Sequence, residues 1–233
     1  MTGSAIRIVS LVPSVTETLT AWGVEPVACT RFCERPDLRH VGGTKNPDID
    51  AIVETRPDLV VLDRHENRRE DADALVAAGL AIVALAVDSL DGLPGQLELL
   101  AGAIGVEPPA LEIPVLPPLG GSVFVPIWRR PWMTIARGTY GSSLLAALGL
   151  SNVFADAATD YPEITLAEAA DRQPDLVLVP SEPYVFSDDH LAELAVVAAP
   201  VRIDGQDLFW WGARTPSAMQ RLHAHLGGVS VRE

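Results

Sequence analysis

The sequence is short of cysteine, of basic charge and of long apolar runs, and each shortage removes a class of answer. Only two cysteines occur, Cys29 and Cys33. Without a second Cys/His pair at matching distance they do not make a structural zinc site. The expected state is a pair of reduced thiols, with Cys29 buried at a strand end; the alternative is a disulfide between them, which a reducing compartment disfavours. Lys and Arg number 17 against 31 Asp and Glu, a formal net charge of −14. Such a field repels phosphate backbones and anionic headgroups, so nucleic acid and membrane surfaces are poor partners. No stretch approaches the roughly 20 apolar residues of a membrane helix, so no membrane insertion is expected. Met1 to Val12 carry one Arg and a short apolar run broken at Pro13, without a basic start, a small-residue cleavage site or a lipid-attachment Cys. As written, this predicts a soluble cytoplasmic protein; a leader ahead of it would place it in the periplasm or outside the cell.

Catalytic signatures are scarce as well. There is no nucleophile elbow, no HExxH and no kinase or Rossmann fingerprint. Glu66, Glu182 and Asp204 could move a proton, but nothing pairs them with a nucleophile, so hydrogen bonding is their default role. No enzyme activity and no required cofactor are expected. The alternative is a cytoplasmic enzyme that has reused a binding cleft, with His65, Glu66 and Cys33 as its reactive groups.

What the chain does have is an internal duplication. Ile49 to Asp63 (IDAIVETRPDLVVLD) matches Leu166 to Pro180 (LAEAADRQPDLVLVP), each a short helix, a Pro-Asp break and an apolar strand. Pro57 and Pro174 cannot continue a helix, and Leu59 to Leu62 and Leu176 to Val179 are the short β-rich runs of parallel strands buried on both faces. Upstream, Ile8 to Val12 with Ser14 to Gly23 corresponds to Trp132 to Ala136 with Tyr140 to Gly149, each strand, loop, helix and closing Gly. Ser14 with Glu17 spells a capping box, and Gly23 and Gly149 stand where a left-handed C-cap is expected. Short strands follow at Val27 to Thr30 and Asn152 to Ala155. A third pairing sets Asp71 to Leu85 beside Asp189 to Ile203, helix then strand in both.

Alternating strands and helices predict an α/β fold of two lobes, each a βαβα unit around a mostly parallel central sheet. The N-terminal lobe is expected over residues 1–92. An inter-lobe helix, Leu93 to Ile104, and a Pro- and Gly-rich linker fill 93–121. The C-terminal lobe, opening on a strand over Ser122 to Pro126, is expected over 122–233.

Ligands of open parallel sheets bind beyond the carboxyl ends of the strands, where helix N-termini and loops present donors, so the expected site is a cleft between two such edges. In lobe 1 the loops there carry Phe32 and Cys33, then Thr44, Lys45 and Asn46 behind a Gly pair, a spacing that does not make a phosphate-binding loop. The third carries Arg64, His65, Glu66 and Asn67, which read either as ligand contacts or as a solvated helix turn. His65 stands at a strand end and is the one metal-ligand candidate, against a plain surface histidine. Lobe 2 offers aromatics: Trp128 and Trp132, then Ser181, Glu182 and Tyr184, then Phe209, Trp210 and Trp211, with Arg214 just beyond. Four of the five Trp fall in these loops. That suggests a flat apolar ligand face or partner surface, the alternative being a hinge core.

The segments RIVSLVPSVTETLTAWG, IVETRPDLVVLD, YGSSLLAALG and RQPDLVLVPSEPY resemble the class III periplasmic binding proteins with a helical backbone, the group of cobalamin- and ferric-siderophore-binding proteins. The resemblance spans nearly the whole chain. It implies two lobes joined by one helix, a small-molecule ligand that is a corrinoid or another metal chelate, and an ABC permease as partner. It also implies that Trp210 is a ligand contact, since it falls where cobalamin binders pack a Trp on the corrin; Asp63 falls where they have another Trp. Arg69 and Gly212 stand where family members carry the acidic residues that dock on an importer.

Overall fold

The computed structural model describes residues 6–229. The chain divides into two compact units. The first contains the residues up to Val87, Gly92–Leu111 and a short return, Trp211–Arg214; the second takes in Asp88–Asp91, Glu112–Trp210 and the chain from Thr215.

The first unit runs β1 (Ile8–Ser10), α1 (Pro13–Ala21), β2 (Ala28–Cys29), β3 (Arg39–His40), β4 (Gly42–Gly43), β5 (Asn46–Pro47), α2 (Ile49–Glu54), β6 (Leu59–Asp63), α3 (Arg69–Ala77), β7 (Ile82–Leu85) and α4 (Leu93–Ile104). Its five-stranded sheet has the order β3-β2-β1-β6-β7, with every neighbour parallel. All residues of β1 and β6 are buried, as expected for strands covered on both faces. Val9, Leu11, Val60 and Leu62 pack with Ala28, Val41, Ile52 and Leu75 into one core. The helix α4 has the bounds expected from sequence: Pro94 sits in its first turn and Gly105 closes it at φ 72°.

The second unit runs β8 (Ser122–Phe124), β9 (Pro126–Trp128), β10 (Trp132–Thr134), α5 (Tyr140–Ala147), β11 (Ser151–Asn152), β12 (Glu163–Ile164), α6 (Leu166–Asp171), β13 (Leu176–Pro180), α7 (Asp188–Leu194), β14 (Ala199–Ile203), α8 (Gly205–Phe209) and α9 (Thr215–Gly227). Its parallel sheet has the order β11-β8-β13-β14, around a core of Phe124, Phe154, Val177, Val179, Phe186 and Leu194. A separate antiparallel sheet, β12-β10-β9, is added to it.

Two expectations are corrected. The strand matching β1 is β8, which sits between the counterparts of β2 and β6; Trp132–Thr134 instead pairs antiparallel with β9 and β12. The hairpin is an insertion between the repeated strand and the repeated helix. Secondly, Ser14 and Glu17 form no capping box, because α1 begins at Pro13, two residues before the start that a Ser14 N-cap requires, with Val12 as its N-cap. Glu17 is engaged elsewhere, receiving two bonds from Arg214 at 2.7 and 3.1 Å. The capping boxes that do form are Thr165 with Glu168 and Ser187 with His190. Gly23 and Gly149 are left-handed, at φ 75° and 79°.

Candidate functional site

In the first unit the carboxyl ends of β1 and β6 and the β4–β5 hairpin are tied together by one amide. Asn67, one turn beyond β6, is buried at 7% exposure. Its Oδ1 accepts from the Asp63 backbone N–H at 2.8 Å, while its Nδ2 donates to the carbonyls of Leu11 at 3.2 Å and Thr44 at 2.9 Å. Beside it Asp63, 2% exposed, accepts from the backbone N–H groups of His65 at 2.8 Å and Glu66 at 3.2 Å. Burial pushes the Asp63 carboxyl above its ordinary range, opposed by donation from the His65 amide. Lys45 Nζ closes the same group on the His65 carbonyl at 2.6 Å.

The structure thus gathers Thr44, Lys45, His65 and Asn67 into one bonded set. Asn67 is committed internally, whereas Lys45, Asn46 and Arg64 are exposed and His65 and Glu66 half-buried. Phe32, at 52% exposure, lies on the loop after β2 under the Arg31 guanidinium, 4.8 Å from its ring centroid. Gly43 lets this loop approach the β4–β5 hairpin closely: a Cβ there would lie 2.6 Å from Asn46 Oδ1 and 3.0 Å from the Phe32 ring, so those side chains would have to shift. Cys33 is buried beneath the same turn. Among the described residues no group of three or more His, Cys, Asp and Glu could hold a metal ion, so His65 does not belong to such a group.

In the second unit the aromatic residues cluster around the loop that follows β13. Trp128, 45% exposed, meets Tyr184 edge-on at 5.2 Å; Tyr184 lies 4.7 Å from Phe186; Phe186 stacks on Trp132 at 6.0 Å with an interplanar angle of 3°. His190 adjoins both Tyr184 and Phe186. Arg129 lies over Trp132 and is held by Glu193 at 2.7 and 3.1 Å, which keeps the Glu193 carboxyl below its usual range. Offset and edge-on rings of this kind make a rigid apolar surface at small entropic cost. Sequence reading missed Phe186 and His190, which follow the loop it singled out; the spacing Tyr184, Phe186 was the available signal.

The remaining candidates stand apart from that cluster. Ser181 Oγ accepts from the Gly205 amide at 2.9 Å, and Trp210 Nε1 donates to Glu182 Oε1 at 2.6 Å, so both side chains lash the β13 loop to α8. Gly205 permits the approach: a Cβ would lie 2.6 Å from the Glu182 amide nitrogen. Trp210 is 7% exposed and Phe209, half-buried, packs its ring where a Cβ on Gly141 would stand. Trp211 and Arg214 belong to the first unit, Trp211 at 4% exposure and Arg214 bonded to Glu17.

A family model described as "Periplasmic binding protein" matches residues 8–113. The vitamin B12-binding protein of Pectobacterium carotovorum subsp. carotovorum (strain PC1) is 24% identical over 96% of this chain and 89% of its own length. That of Salmonella paratyphi A is 24% identical over 76% of this chain and 73% of its own. Among solved structures, the periplasmic vitamin B12 binding protein BtuF of Vibrio cholerae superposes with a TM-score of 0.74 at 20% identity, covering 94% of this chain and 96% of that one. The periplasmic heme binding protein HutB of Vibrio cholerae gives 0.75 at 21% identity, covering 95% and 98%. At these identities the structural likeness establishes the fold.

Proposed function

We propose, from the premise that residues 8–113 belong to the periplasmic binding protein family, that this chain binds a small, flat metal chelate of the corrinoid or haem class and carries out no chemistry on it. The observation that carries the reading is the aromatic cluster of the second unit. Trp128 and Tyr184 form a half-exposed ring face at the carboxyl end of β13, where an open parallel sheet offers its ligand positions. The vitamin B12- and heme-binding relatives support the ligand class.

In this reading Trp128, Tyr184 and Trp132 supply apolar contact. On the first unit taken by itself, Lys45, Asn46, Arg64, His65 and Glu66 are the exposed or half-buried side chains that offer hydrogen bonds and charge to a polar ligand, and Phe32 offers an exposed apolar ring. Asn67, Ser181, Glu182 and Trp210 hold the loops in place, because their polar groups bond within the protein. Thr44, Cys33 and Arg214 are bonded within the protein likewise, and Phe209 and Trp211 support their own units by packing. The test is spectroscopic: purified protein titrated with cyanocobalamin and with haemin shows saturable binding of at least one, and replacing Trp128 by Ala weakens it at least about tenfold, roughly 1.4 kcal/mol. Unchanged affinity on loss of Trp128 overturns the assignment of the ring face.

A further inference from the structure

The hairpin of β9 and β10, which carries Trp128 and Trp132, has no counterpart between the repeated strand and helix of the first unit, so it needs fastenings of its own. Arg130 and Pro131 in its turn are exposed, and Arg130 stands in the left-handed region at φ 69°, which residues with a Cβ avoid. Such a conformation persists where neighbouring contacts impose it. After the turn, Trp132 stacks on Phe186, a ring of the core. Before it, Arg129 donates from Nε to Glu193 Oε2 at 3.1 Å and from Nη2 to Glu193 Oε1 at 2.7 Å, and its guanidinium lies 5.8 Å from the Trp132 ring centroid. The Arg129 side chain is only 15% exposed, although its chain neighbours Trp128 and Arg130 are both exposed. We propose that Arg129 is a positioning residue: clamped on Glu193, it fixes the exposed Trp128 ring in the orientation that receives the ligand.

The far end of the clamp is firm. Glu193 lies in the last turn of α7, next to Leu194, which is fully buried in the core of the second unit. The start of α7 is closed by the Ser187–His190 capping box and tied to β14 by Arg202, which donates to the Phe186 carbonyl at 3.0 Å and to Asp188 at 2.7 Å. Since Trp128 directly precedes Arg129, a guanidinium held at two points leaves the Trp128 backbone little room to swing, and its ring stays edge-on to Tyr184 at 5.2 Å. A lone surface ion pair would add little of this. Two bonds to one carboxylate, an aromatic ring beneath the cation and partial burial make this pair directional. The role rests on the reading that the ring face is the ligand surface. An indole that is not held must be ordered as the ligand arrives, which weakens affinity about fivefold.

The experiment uses the full-length chain grown with fluorotryptophan and read by fluorine NMR, the Trp128 resonance being identified by its loss in Trp128→Phe. Without ligand, wild type is expected to show one narrow Trp128 line. Arg129→Gln, Glu193→Gln and Arg129→Lys, which keeps the charge and loses the fork, are each expected to shift and broaden it, while the lines of Trp22, Trp210 and Trp211 stay in place and report an intact fold. In titrations with haemin and cyanocobalamin, Arg129→Gln and Glu193→Gln are each expected to lose about fivefold in affinity for whichever ligand wild type binds, and the double variant no more than either, because both changes break one pair. A Trp128 line unchanged in position and width in all three variants overturns the role. So does unchanged affinity in the two Gln variants, or losses that multiply in the double variant. Wild type that binds neither ligand overturns the ligand reading, and the role with it, whatever the fluorine line does.

Discussion

Replacing Asn67 by Ala should cost the protein about 3 kcal/mol, because one side chain satisfies three backbone groups from three different loops. The change deletes the acceptor for the Asp63 N–H and the donor to the carbonyls of Leu11 and Thr44. A buried polar group left without its partner costs about 1–3 kcal/mol. Asp63 and Leu11 are buried and bear that cost in full, while Thr44 is half-buried and water can replace its lost bond. About 1–1.5 kcal/mol for each of the two buried groups, with a smaller share for the third, gives the total. In urea unfolding, with a slope of roughly 2–3 kcal/mol per molar, the midpoint of the transition that includes the first unit should fall by about 1 M. Asn67→Asp sharpens the test. It keeps the acceptor for the Asp63 N–H, faces oxygen to two carbonyls and brings a second carboxylate beside Asp63, so it should destabilise at least as much. A midpoint shift below about 0.3 M at unchanged slope for both variants would refute the claim that this amide fixes the loops.

Three other outcomes follow from the same geometry. Gly212→Ala should destabilise by about 2–4 kcal/mol, since residue 212 has φ 113° and an added Cβ would collide with Thr18 Oγ1; a melting temperature within a degree or two of wild type would contradict it. Asp63 is raised above its ordinary value near 3.8, so its contribution to stability is fully present below that value and is lost as pH rises through the higher folded-state value. Asp63→Asn keeps an acceptor for the His65 and Glu66 amides and removes the titration, so stability of wild type minus variant, measured by urea unfolding from acid to neutral pH, should decline with rising pH and then level off; a flat difference contradicts the burial effect. Glu17→Ala removes the carboxylate that receives two bonds from the Arg214 guanidinium, whose side chain is 13% exposed, and should cost about 1–2 kcal/mol after allowance for the part-exposed Glu17, read as a drop in melting temperature that Glu17→Gln only partly recovers.

Much of the fold was legible because its signals are local. Pro94 and Gly105 bracket α4, and the Pro-Asp pairs at Pro57 and Pro174 separate α2 from β6 and α6 from β13, so these elements fall where the sequence sets them. The failures are non-local. Trp132–Thr134 has the composition of any strand, and only its partners Trp128 and Ile164 make it an antiparallel edge instead of the copy of β1. Ser14 and Glu17 spell a capping box, but Glu17 has a guanidinium partner 197 residues away, which local pattern cannot reveal. The candidate site was legible as loops and not as roles. Polar residues after β6 look alike in sequence; the structure commits Asn67 inward and leaves Arg64 exposed. Phe186 and His190 joined the aromatic cluster through the fold of the loop after β13.

The most direct measurement is an equilibrium absorbance titration of the purified chain with haemin and cyanocobalamin, run beside a Trp128→Ala, Tyr184→Ala double variant. The account predicts one-to-one saturation with at least one of the two and a loss of affinity of about a hundredfold in the variant, near 2.7 kcal/mol. Absence of any spectral change or rise in melting temperature with either ligand, or equal affinity in the variant, would contradict it.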